Sequence, residues 1–157
     1  MPRSSVLPDV LRYNAGRDPV RLARKLELMR RTPFAFFRGA AHRFYGYRTL
    51  LAPTADTPAI WSTGDLHLEN FGCYEGDNRL AYFDLNDFDE AALGPLGWDL
   101  IRLLTSLELG LRAAGHRGKL IRPLCELLLG EYAQVLASGK PRWIERSTAE
   151  GPIRRLL

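Results

Sequence analysis

Between Gly64 and Leu100 the chain gathers residue types that can hold a cation and move a proton. GDLHLENFG (Gly64 to Gly72) sets Asp65 and Asn70 five positions apart, with His67 between them. FDLNDFDEAALGPLGWDL (Phe83 to Leu100) adds Asp84, Asp87 and Asp89 on one short segment and Asp99 further on. Carboxylate and amide oxygens are the donors that a hard ion such as Mg²⁺ takes. Phosphoryl transfer from a nucleotide needs a group to orient or deprotonate the attacking hydroxyl, ligands for Mg²⁺, and donors to cradle the phosphates. On that chemistry Asp65 is the base, Asn70 gives its side-chain oxygen to the metal, and Asp87 or Asp84 is the main metal carboxylate. Asp89 is a candidate second ligand.

Other residues near the cluster have plainer readings. A lone loop histidine such as His67 is more often a hydrogen-bonding scaffold than a metal ligand. Asp99 opens a helix, where the dipole favours an acid. Arg38 lies among Phe34, Phe36 and Phe37, and so apolar a setting calls for a carboxylate partner. Pairing with an acid of the cluster is favoured for it over reaching a phosphate, and it stays a candidate for cofactor binding.

The net charge of +4 hides an asymmetry: Asp65 to Glu90 carries −7 and the rest +11. Crowded carboxylates repel one another and are stabilised by a cation. The bases elsewhere are scattered, with no aromatic interleaving, which argues against a nucleic-acid partner.

The elements that must position these residues are mostly helical. Asp18-Pro19 is a helix start, with Val20, Ala23, Leu26 and Met29 at helical spacing and Thr32-Pro33 as the stop. A second helix is expected from Pro33, carrying Phe34, Phe37, Ala41, Phe44 and Arg48 and closed by Pro53. Pro53 to Pro58 reads as a loop. Ala59 to Ser62 reads as a short buried strand, Gly64 to Gly72 as a loop, and Glu75 to Asn78 as a turn before a strand over Leu80 to Leu85, making a small hairpin. Leu93-Gly94-Pro95 reads as a turn into a helix with Leu100, Leu104, Leu107 and Leu111 on one face, ended by Gly115. A last helix spans about Arg117 to Leu136, with Leu120, Leu124, Leu128 and Val135 aligned. Trp61, Trp98 and the phenylalanines are expected in the core.

The composition, 46% hydrophobic and 25% charged, is that of an ordinary globular protein. There is no apolar run long enough to span a membrane and no signal-peptide h-region. Cys73 and Cys125 are spaced like neither a metal pair nor a disulfide framework. Both are expected to be reduced thiols in a cytoplasmic protein.

GDLHLENFG resembles the GDxHxxN loop of aminoglycoside phosphotransferases and other small-molecule kinases. DFDEAALGPLGWDL, Asp87 to Leu100, resembles their metal-binding segment, a register that gives the metal to Asp87. A register built on the apolar strand Leu80 to Phe83 gives it to Asp84. RTPFAFFRGAA (Arg31 to Ala41), GDLHLENFG, FDLNDFDEA and WDLIRLLTSL (Trp98 to Leu107) together resemble an uncharacterised bacterial family, domain-of-unknown-function family 2252, over roughly residues 15 to 115. The resemblance implies a kinase-like fold, with Asp99 bracing the catalytic loop through backbone amides. Two departures stand out: Thr63 occupies the place where kinase-type loops carry His, and no Gly-rich phosphate loop or strand lysine accompanies Lys25, Lys119 and Lys140.

The expectation is therefore an α+β, mostly helical chain resembling the catalytic (C-terminal) lobe of a protein-kinase-like fold, and incomplete. Residues 1–17 would be an N-terminal extension, 18–138 the partial catalytic-loop domain, and 139–157 an irregular tail leading to a missing remainder. Its cofactors would be Mg²⁺ or Mn²⁺ and, with the missing lobe, ATP or another nucleotide. Its substrate would be a small molecule. The competing readings are a metal-dependent hydrolase, against which the scarcity of histidine argues, and a non-catalytic binding or regulatory module.

Overall fold

A computed structural model describes residues 6–47 and 51–157. Helix α1 (Val6–Tyr13) falls in the N-terminal extension and buries Val10 against Met29 and Ala40, with Leu26 packed beside them. Helix α2 (Pro19–Met29) begins where Asp18 accepts the Arg21 amide at 2.8 Å, with Pro19 opening the first turn. Helix α3 (Pro33–Gly39) is capped by Thr32, whose hydroxyl accepts the Ala35 amide. The single long helix expected from Pro33 is broken at Ala40 and resumes as α4 (Ala41–Phe44). Ala40 leaves the helical conformation at φ −117°, and Gly39 before it packs directly on the Met29 side chain, where a Cβ would lie 2.4 Å from Cγ. Arg48 lies outside the described residues.

Two small antiparallel sheets follow. Strand β2 (Phe71–Glu75) pairs with β3 (Ala81–Leu85) as a hairpin, with Cys73 opposite Phe83. Strand β1 (Ala59–Ser62) pairs with β4 (Ala92–Pro95), so Leu93-Gly94-Pro95 is strand and not turn. Local sequence reads Gly-Pro as a turn, but here Pro95 sits at the edge of a two-stranded ladder, where its missing N–H does no harm. Strand β1 is also far from buried: Trp61 is 77% exposed, and Leu93, its cross-strand partner, 66%.

Helix α5 (Leu96–Ala113) and helix α6 (Gly118–Ser138) form the helical layer, and α6 ends at Gly139 in the left-handed conformation. Helix α6 buries Ile121, and Leu124, Cys125, Leu128, Tyr132 and Val135 are half-buried, while Leu120 points outward. The tail without periodicity is folded back on the hairpin. Phe83 donates its amide to the Ile144 carbonyl at 2.8 Å, Tyr82 bridges to Glu145, and residues Gly151–Leu156 form helix α7. The architecture is α+β with small antiparallel sheets, and among the described residues no helix is long and apolar enough to cross a membrane.

Candidate functional site

The buried stripe of α5 is polar. Its leucines at 100, 104, 107 and 111 are only half-buried, whereas Asp99, Arg102 and Ser106 are buried alongside Leu103. These three polar residues, spaced by three and four, lie on one helix face. Each grips a different point of the Thr63–Leu68 loop. Asp99 accepts the Thr63 amide at 2.9 Å and its hydroxyl at 3.3 Å. Arg102 is ion-paired with Asp65. Ser106 accepts the Leu68 amide at 3.2 Å.

Arg102 is 0% exposed and lies over Phe37 and Phe44, with its guanidinium carbon 4.3 and 5.0 Å from the two ring centroids. Two aromatic faces thus stand in for part of the lost hydration of a fully buried cation. The RTPFAFFRGAA motif supplies Phe37 to this sandwich and Arg38 to the loop beyond it. Sequence reasoning missed Arg102, although an Arg in the apolar run L-I-R-L-L, three residues after Asp99, was the available signal.

Gly64, at the bend before Asp65, has φ +78°, and a Cβ there would fall 1.9 Å from the Glu90 carbonyl oxygen. The acidic segment therefore rests directly on the loop backbone. The Tyr45 hydroxyl donates to the Gly64 carbonyl, and burial pushes that phenol up to about 12. Asn70 is 2% exposed, and its Oδ1 accepts the His67 amide at 2.6 Å. The Asn70 carbonyl accepts the Asn86 amide at 3.0 Å, which fixes the chain just ahead of Asp87. The side-chain oxygen expected to reach a metal thus accepts from the loop backbone, which uses one of its two lone pairs.

His67 is buried between two donors. Arg38 Nε–H approaches its Nε2 at 3.0 Å and the Glu69 amide its Nδ1 at 3.1 Å. Burial and then the Arg38 charge depress the imidazole to about 4, so the ring is neutral at physiological pH. A neutral imidazole accepts at one nitrogen only, so the two donors compete for it. Arg38 also pairs with Glu69, an acid of the cluster.

Asp65, His67, Arg38 and Asp87 line one cleft of about 560 Å³, together with Glu90. Asp84, Asp89, Asn70 and Asp99 do not line it. Asp84 turns its Oδ1 to the Leu85 amide within the hairpin, and Asp89 gives its amide to Asp87 Oδ1 at 3.5 Å. Of the oxygen ligands named from the sequence, Asp87 lines the cleft, and among the described residues no three carboxylate, imidazole or thiolate groups form a ready metal cage. Burial raises the Asp65 carboxyl to about 6, outweighing the attraction of Arg102 and Arg38, with Glu90 and Asp87 adding to the rise.

The fold and site define an α+β chain that holds an acidic loop and a carboxylate of raised pKa in a small cleft. The chain belongs to the bacterial family described as "Uncharacterized protein conserved in bacteria (DUF2252)", which it matches over residues 17–152. No curated protein and no solved structure matches it.

Proposed function

We propose that the chain carries the catalytic loop of a kinase-like, Mg²⁺-dependent phosphotransferase that moves phosphate from a nucleotide to a small-molecule hydroxyl. The observation that carries this reading is the placement of Asp65 and Asp87 in one cleft, with burial holding Asp65 at about 6. A general base works best with a pKa near the operating pH. Arg102 engages Oδ1 of Asp65, leaving Oδ2 as the atom to receive the hydroxyl proton. Mg²⁺ usually keeps several waters and binds through one or two carboxylates plus substrate phosphates, so a full protein cage is not required. Asp87 and Glu90 fit that role, and the metal supplies charge neutralisation at the phosphates. The similarity to aminoglycoside phosphotransferases and to a kinase catalytic lobe belongs to this reading and rests on the loop motifs.

The test is calorimetry and thermal shift on the purified chain with Mg²⁺ or Mn²⁺, with and without ATP, alongside Asp87→Asn. Metal–nucleotide binding by the wild type and its loss in Asp87→Asn supports the proposal. A folded protein indifferent to both ligands refutes it. That second result favours a non-catalytic binding module, a reading supported by the ion pair that occupies Asp65 and by the lack of a ready metal cage among the described residues. A metal-dependent hydrolase gains no such support, because both His67 nitrogens face protein donors.

A further inference from the structure

The opposite wall of the cleft is basic. Arg21, Arg24 and Lys25 stand at i, i+3 and i+4 on α2 and line the same space as Asp65, Asp87 and Glu90, with Arg38 contributed by α3. Among the described residues, none of the three α2 cations forms an ion pair. Lys25 is half-buried, and its Nζ donates to Asn14 Oδ1 at 3.1 Å. Asn14 is fully buried and fixed in turn by its own amide, which donates to the Val10 carbonyl at 2.7 Å. The ammonium is thus held in place by a neutral, rigid partner and keeps its charge uncompensated at contact range. Like charges at helical spacing of three and four repel, a cost that a bound anion removes. His42 also lines the cleft, stacked on Tyr13 with ring centroids 3.8 Å apart, and both its buried ring nitrogens lack a hydrogen-bond partner.

We infer that the α2 wall is an anion site that takes the di- or triphosphate of a phosphorylated ligand. Several cations on one wall match a multiply charged anion better than a single carboxylate. The acids opposite weaken the hold on that anion without abolishing it, and a divalent cation between them would strengthen it, so the cleft as a whole suits a metal-bound polyphosphate. Its volume is that of a small-ligand site. The choice of a polyphosphate rests on the phosphotransferase reading, whereas the cationic wall stands without it.

The test uses the full chain and sodium tripolyphosphate without metal, followed by calorimetry. Wild type is expected to bind one equivalent. Arg24→Ala with Lys25→Met is expected to weaken binding by about a hundredfold, about tenfold for each charge-assisted hydrogen bond removed. Lys25→Arg, which keeps the charge, should retain most of the affinity, and Asp87→Asn should bind at least as tightly as wild type. Circular dichroism checks that each variant is folded. Equal affinity in wild type and the folded double variant, or no binding by wild type, overturns the anion site. If tripolyphosphate binding depends on Arg24 and Lys25 but the chain is indifferent both to Mg²⁺ and to Mg²⁺ with ATP, the anion site stands and the phosphotransferase reading falls. If Mg²⁺–ATP binds through Asp87 regardless of Arg24 and Lys25, the reverse holds.

Discussion

Asp65→Asn is expected to stabilise the protein at neutral pH, and Arg102→Met to destabilise it, although the two residues form one ion pair. The asymmetry follows from the raised pKa of Asp65. An unfolded Asp titrates near 3.9, whereas the folded carboxyl titrates at about 6. The folded state therefore holds the extra proton between those values, and this group's contribution to stability falls as pH rises from about 4 to about 6. A difference of about two pKa units corresponds to roughly 3 kcal/mol at pH 8. The side chain is 25% exposed, and solvent screening reduces the figure toward about 2 kcal/mol. Asparagine imitates the neutral acid and escapes that penalty, so its advantage over wild type should grow by this amount between pH 4 and pH 8. Arg102→Met leaves the carboxylate buried without its cation, and breaking a buried pair from one side costs about 3–5 kcal/mol. Urea unfolding of wild type and both variants at pH 4, 6 and 8 measures this directly. An advantage of Asp65→Asn over wild type that shrinks between pH 4 and pH 8 would refute the reasoning, because it would mean that the ion pair outweighs desolvation. Such a gain in stability on replacing the proposed base is the trade-off expected where a functional group is held in destabilising surroundings.

His67 contributes with the opposite sign. Its folded pKa of about 4 lies below the ordinary value, so stability is present above about pH 6.5 and is lost as pH falls toward 4, by at most about 3 kcal/mol. The two effects oppose each other in the wild type, and His67→Gln should expose the Asp65 limb as a rise in stability on acidification, read by denaturant unfolding. Gly64→Ala should destabilise by at least about 2 kcal/mol, since the new Cβ meets the Glu90 carbonyl and the backbone has positive φ; an unchanged thermal midpoint would contradict it. Trp61→Thr should change stability by no more than about 0.5 kcal/mol, because the ring is exposed and not core, and a large drop in midpoint would show that the indole is packed.

The sequence alone determined the local elements and the chemistry on offer. Asp18-Pro19 and Thr32-Pro33 marked their helix starts because capping is a contact among neighbours in the chain. The leucine period announced α5, Gly139 ended α6, and the four motifs carried the family membership. The β1–β4 pairing was not legible, since it joins residues 30 to 36 positions apart and overrides a Gly-Pro that locally favours a turn. Only the tertiary structure decided which acids face one another. It brought Asp87 and Glu90 to the cleft with Asp65 and left Asp84 and Asp89 outside, a matter of backbone path that composition cannot encode. It also put Arg102 under Asp65 and set the α2 cations across from both. Apolar periodicity shows which residues avoid water, but a buried charge is defined by its partner, and these partners come from distant parts of the chain.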